Sequence, residues 1–295
     1  MYDARGKSSN QSGLIFGVFT IAVVAVAFFG VLLMPHGKKT GAVPGVAVAS
    51  QPQHAVLTVL SDTPTRNYIV ALGKVSPRAS ERLDADVATA IADGAGKNEI
   101  AIMMMKSTQE DLLSEIQHLA RADVSHFDKA MQITKSGLGK LSSSRSKWCK
   151  GTTYETFASL GPARVQARIQ NEFGYGTPAY AWMLDLNTLL LEAIIDAKAN
   201  PVQHGPMSPK DQQAMQGVMV RLITNPQIMQ LMSVQGDQAA MMRAMRNLDM
   251  CSLGVTGIDA FQSLPRDTRG RMWGEVFSGM DENELQRAMA QMGAF

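Results

Sequence analysis

The sequence predicts an all-α protein: a single N-terminal transmembrane helix, a flexible linker, then a multi-helix globular bundle. Three observations predict it. Residues 13–34 form an uninterrupted apolar run, helix-capping residues followed by proline recur along the rest of the chain, and apolar residues repeat at helical spacing.

The apolar run, GLIFGVFTIAVVAVAFFGVLLM from Gly13 to Met34, has 22 residues, no charge and only Thr20 polar. At about 1.5 Å per residue it spans roughly 33 Å, the thickness of a bilayer core. A backbone in lipid must satisfy its own hydrogen bonds, so the segment is expected as a helix whose partner is the lipid bilayer. Ala47-Val48-Ala49 looks like a signal-cleavage site, but it lies 13 residues beyond the run, past Pro35 and two lysines. An uncleaved signal-anchor is the reading. Arg5 and Lys7 balance Lys38 and Lys39, so the basic count alone does not orient it. The amino terminus and the shortness of the tail favour residues 1–12 in the cytoplasm, with the rest outside an inner membrane. Gly13 and Gly17 have the spacing that lets two such helices pack as a homodimer.

Residues 35–62 read as a Gly-, Pro- and Ala-rich linker, free of acid until Asp62. Within it AVLTVL, from Ala55, reads as a short strand or a docking segment. Helix starts follow at Thr63-Pro64, Ser76-Pro77, Thr177-Pro178, Ser208-Pro209 and Asn225-Pro226. Proline at the first helical position gives up a donor that has no partner there, and the preceding side chain caps the next amides. Ser107 with Glu110, and Asp281 with Glu284, have capping-box spacing. Met215, Val218, Met219, Leu222 and Ile223 make one apolar helical face; Leu285, Ala288, Met289 and Met292 make another. Pro178–Ala199 is apolar on almost every side and reads as the central helix, stopped by Asn200-Pro201. Glu99–Met105 is ambiguous between helix and strand. The 63–295 portion is thus expected as one helical domain.

Composition narrows function. The chain carries 28 basic and 26 acidic residues, and the portion beyond residue 62 is balanced, which argues against a nucleic-acid partner. Serine elbows, phosphate loops, zinc spacings and dinucleotide fingerprints are missing from the sequence, and no cofactor is expected. The only cysteines, Cys149 and Cys251, are expected to pair in an oxidising compartment. Thirteen of the 20 methionines fall from Met207 onward. Thioethers suit adaptable helix-binding grooves, so Met229, Met232, Met241, Met245, Leu285, Met289 and Met292 are the candidate partner-binding residues. Glu115-x-x-His118 and Asp123-x-x-His126 resemble half of a di-iron ligand set, but eight residues apart they read better as surface ion pairs. Lys129 to Tyr154 holds six basic residues and no acid; it reads as a solvated basic face or as a contact for anionic lipid or an acidic partner. The function expected is a cell-envelope protein whose helical domain binds or scaffolds a protein partner or complex. The alternatives are a membrane-tethered hydrolase using carboxylates such as Asp185, Glu192 and Asp196, possibly on cell-wall glycan, and a Met-rich metal handler with His204-x-x-Met207.

Overall fold

Capping chemistry sets where the helices begin. The computed structural model describes residues 54–107, 115–159, 164, 174–234 and 238–279. The expected anchor at 13–34, the expected Ser107–Glu110 capping box and the helix expected over Asp281, Glu284, Leu285, Met289 and Met292 fall, wholly or in part, outside the described residues. Among the described residues the regular structure is helical, and no helix is long and apolar enough to cross a membrane.

The first helix, α1 (Ala55–Val59), forms where the sequence allowed a short strand or a segment docking onto the domain; it is helical rather than extended, and it docks. Val56 and Leu60 are wholly buried, so the domain core begins before residue 63. Helix α2 (Thr63–Val75) is capped by Asp62, one residue earlier than the Thr63-Pro64 reading; Asp62 accepts from the Thr65 amide at 3.0 Å. Ser76 caps α3 (Pro77–Ala92), as its Ser-Pro signature predicts. The ambiguous Glu99–Met105 lies in α4 (Lys97–Ser107), where Ile100, Ala101, Met104 and Met105 are all buried. A 3-10 turn over Ile116–Arg121 leads to α5 (Val124–Ser143), capped by Asp123. A second 3-10 turn, Lys147–Cys149, precedes α6 (Gly151–Ser159). Then come the central α7 (Pro178–Ala199, capped by Thr177), α8 (Pro209–Ile223) and α9 (Pro226–Ser233). The described chain closes with α10 (Gln238–Met245), α11 (Met250–Gln262) and α12 (Arg266–Ser278).

Helix α7 is the spine. It packs against α2 on one side and α5 on another, and the Ile116–Arg121 turn covers its far end. A polar chain fixes α2 to it: Thr65 Oγ1 donates to Asp62 at 2.8 Å, so its lone pair is left to accept from the Tyr180 hydroxyl at 2.6 Å. Both residues are buried, and burial drives the Tyr180 phenol well above its ordinary pKa. Helix α5 runs antiparallel to α7, since His126 meets Asp196 at one end while Gly137 backs onto Trp182 at the other. Helices α11 and α12 complete the other flank of α5. There Phe127 stacks on Trp273 at 4.7 Å and on Phe277 at 5.4 Å.

Helix α12 looks polar, yet it is clamped down by arginines. Arg266 reaches Asp123 at 3.0 Å, and Arg269 forks onto Asp128 with two 2.8 Å bonds. Arg271 forks onto Asp211 with bonds of 2.8 and 2.7 Å. Asp211 is the deepest of these carboxylates, with its side chain 2% exposed. It also accepts from Thr268 at 2.6 Å and from the Ser208 amide and hydroxyl at 2.8 and 2.6 Å. One carboxylate therefore closes the capping box of α8 and ties it to α12. The Arg271 bonds, reinforced by those from Ser208 and Thr268, hold Asp211 ionised far below the usual carboxylate range.

Asp211→Asn is expected to destabilise the domain by about 3 kcal/mol in urea unfolding near neutral pH, because it leaves Arg271 facing an amide. Because the native carboxyl is depressed, its stabilisation is complete above the ordinary value of 3.8 and is lost as pH falls below it. The gap between native and Asp211→Asn proteins should therefore narrow below pH 4; a gap that widens there would refute this account.

Candidate functional site

A disulfide corner forms where α5 ends. Arg145 turns the chain with φ of 53°, the one non-glycine with positive φ among the described residues. The Ser146 hydroxyl then accepts from the Trp148 amide at 3.2 Å and starts the turn that carries Cys149. Cys149 and Cys251 are bonded, with Sγ–Sγ 1.98 Å and α-carbons 4.8 Å apart. Asp249 caps α11 by accepting from the Ser252 amide at 3.0 Å, and its backbone pairs with Lys150 in a short antiparallel bridge. The Gly151 amide donates to the Leu248 carbonyl at 3.0 Å. A Cβ at Gly151 would stand 1.6 Å from the Met245 carbonyl oxygen, so only glycine fits. Tyr154 closes the corner by donating to the Trp148 carbonyl at 3.0 Å, and burial pushes its phenol up to about 12.

Cys149, Asp249 and Cys251 are the one group of three or more His, Cys, Asp or Glu side chains close enough to share a metal ion among the described residues. The disulfide occupies both sulfurs, so the corner offers no thiolate. The other metal-like spacings are also used internally. Glu115 receives Lys198 at 2.6 Å and stands 3.5 Å from His118. His126 donates to Asp196 at 3.0 Å rather than to Asp123, which caps α5. His204 sits against the glycine face of α12, where a Cβ at Gly270 or Gly274 would fall within 3 Å of it, and donates to the Ala122 carbonyl at 2.8 Å. Met207 packs on the core. Of the acidic stripe on α7, Asp185 and Glu192 are exposed and Asp196 is held by His126. Partial burial raises the Asp185 pKa, with Lys140 pulling the other way.

The methionine-rich helices divide into core and surface. Met215 and Met219 pack on the core beside buried Val218 and Leu222, as does Met245. Ile223, assigned to that same buried face from its spacing, is instead 37% exposed at the end of α8. Met229 on α9 is 55% exposed. Met232 lies on α9 and Met241 on α10, with their side chains outside the described set. Val220, which the sequence reading passed over, is 58% exposed. Its signal was its register: it falls off the Met215–Leu222 stripe, onto the face that carries Gln213 and Gln216. Val220, Ile223 and Met229 are three of the five large exposed apolar side chains among the described residues.

Comparison of the chain with protein-family models, with curated proteins and with solved structures finds no match.

The cross-link closes a loop of 102 residues. Reduction is expected to lower stability by up to about 4.7 kcal/mol, the loop-closure entropy restored to the unfolded chain. Gly151→Ala should weaken the same corner by about 1–3 kcal/mol through overpacking. Urea unfolding with and without dithiothreitol checks both; a Gly151→Ala protein as stable as the native one would contradict the close approach.

Proposed function

We propose that this chain is a single-pass membrane protein of the cell envelope whose helical domain binds or scaffolds a protein partner. The observation that carries the reading is the charge-free run Gly13–Met34, joined by a Gly- and Pro-rich linker to a helical domain. In this reading residues 1–12 stay in the cytoplasm, 13–34 act as an uncleaved anchor, and the domain lies on the periplasmic or extracytoplasmic side. The Cys149–Cys251 bond supports that side, since such bonds persist where thiols are not kept reduced.

Binding rather than chemistry is favoured by where the polar side chains go. The buried or half-buried carboxylates Asp123, Asp128, Asp196 and Asp211 are each engaged by a cationic or imidazole side chain of the same domain. The apolar side chains Val220, Ile223 and Met229 lie where α8 passes to α9 and supply the patch a helical partner would cover. The C-terminal segment with Leu285, Met289 and Met292 extends the same methionine-rich chemistry.

A reporter active only in the cytoplasm, fused after Phe295, is expected to be silent; strong activity would overturn the orientation. Replacing Val220, Ile223 and Met229 together by glutamine should lower the urea midpoint only slightly, because each side chain is already 37–58% exposed. The same variant should lose the proteins recovered with the native chain from gently solubilised membranes. Full recovery of those proteins by the variant would move the binding surface elsewhere.

A further inference from the structure

The disulfide corner is held together by more than its sulfur–sulfur bond. Lys150 and Asp249 pair through their backbones, and the Gly151 amide donates to the Leu248 carbonyl at 3.0 Å. On the Cys149 side, Thr153 Oγ1 donates to the Lys147 carbonyl at 2.6 Å, and the Tyr154 hydroxyl to the Trp148 carbonyl at 3.0 Å. On the Cys251 side, Asp249 Oδ1 accepts from the Ser252 amide at 3.0 Å. Both cysteines are thus flanked by hydrogen bonds that cutting the sulfur–sulfur bond does not itself remove. Their α-carbons, 4.8 Å apart, are held near each other by this backbone frame as well as by the cross-link.

A third donor group stands at the same point. A carboxylate oxygen of Asp249 and both sulfurs lie within 4.8 Å of one another. The cap bond engages one carboxylate oxygen, and a carboxylate has lone pairs for a further partner. Cys251 is the second residue of α11, where the amides of a helix start favour thiolate over thiol. Cys149 and Cys251 are 8% and 2% exposed, so two thiolates in that position need a cation beside them. Two thiolates and a carboxylate form the donor set of a borderline-soft divalent ion. Tetrahedral zinc takes sulfur at about 2.3 Å, which sets the two sulfurs about 3.8 Å apart. Turning the cysteine side chains about their Cα–Cβ bonds provides that separation.

We propose that the reduced corner is a binding site for a divalent ion of the zinc class, held by Cys149, Cys251 and Asp249 with water as the fourth ligand. Cross-link and metal are then alternative states of one corner. A dithiol reductant passes two electrons and two protons to the disulfide, giving two thiols, and is itself oxidised to a disulfide. Metal binding releases both thiol protons to solvent. Magnesium and calcium, which take oxygen ligands, are poor occupants of such a site. Asp249 distinguishes this corner from a bare pair of thiols, because it adds a hard negative ligand from a helix cap that folding puts in place.

The test uses the full chain in detergent micelles, reduced with a phosphine, desalted without oxygen and titrated with cadmium. Cadmium is expected to bind once per reduced chain, with the ultraviolet charge-transfer band of sulfur–cadmium bonds, and to raise the urea midpoint of the reduced chain. The oxidised chain should give no band. Asp249→Asn should weaken cadmium binding at least about tenfold. Asparagine caps a helix as well as aspartate does, so the circular dichroism of that variant should match the native chain.

A reduced chain without the band would overturn the site, as would an equal band from the oxidised chain. Equal affinity in Asp249→Asn would also overturn it, since the cysteines would then act as an adventitious dithiol. A reduced chain that loses its helical dichroism supports the site if cadmium restores the signal, and overturns it if cadmium does not.

Discussion

A helix that is apolar on nearly every side must be covered on nearly every side. Pro178–Ala199 is that helix, and the arrangement of the others follows from covering it. Eleven of its 22 residues are buried, among them Met183, Leu184, Leu191 and Ile194. Helix α2 takes one face, α5 another, and the Ile116–Arg121 turn the far end. The polar groups drawn into this packing are few and answered, as Tyr180 is by Thr65. Removing water from a stripe alone would leave such a helix free to slide against its neighbours. The hydroxyl pair near its start and the His126–Asp196 pair near its end give it a register.

The second layer is held by charge as much as by apolar contact. Helix α12 buries Met272, Trp273 and Phe277, but between Arg266 and Arg271 it presents mainly polar side chains and glycine. Its three arginines each find an aspartate on α5, on the α5 cap or on α8, two of them as planar forks. A lysine could supply the charge at Arg269 but not the two parallel bonds to Asp128 together with those to the Gln262 and Leu264 carbonyls. The glycines at 270 and 274 let this polar helix approach His204 closely enough to bury its aromatic face.

Local chemistry was legible in the sequence, and long-range pairing was not. Ser76, Thr177 and Ser208 cap the helices that their Ser-Pro or Thr-Pro signatures mark, and Asn225 accepts from the Gln227 amide at 2.9 Å ahead of α9. These signals act over three residues, so they survive any tertiary arrangement. Asp62 displaced Thr63 as a cap because its carboxylate reaches both the Thr65 amide and hydroxyl. Residues 55–60 read as linker with a short strand or a docking segment, because six residues hold too little periodicity to reveal a helix; the segment is helical and docks through buried Val56 and Leu60. Helix α12 went unmarked because its stripe is interrupted by arginines, whose partners lie about 60 to 140 residues away. At the candidate surface Met229 was legible from its side-chain chemistry, while Val220 required knowing which face of α8 is covered.

The balanced charge of the domain conceals an uneven distribution. Beyond residue 62 acids and bases are equal in number, which on composition alone describes an electrically bland surface. Folding changes that by choosing which charges meet. Antiparallel packing of α5 on α7 brings His126 to Asp196, and the turn before α5 brings Glu115 to Lys198. Closure of α12 over the start of α5 then consumes Asp123 and Asp128. All of these contacts fall towards one end of α7, because that is where the chain crosses between α5, α7 and α12. The acid-free stretch at the end of α5 is left at the other end, and the disulfide pins it there. Among the described residues, which charges meet is thus set by topology rather than by composition: the antiparallel packing of α5 on α7 decides that His126, Glu115 and Asp123 find their partners at one end of the central helix.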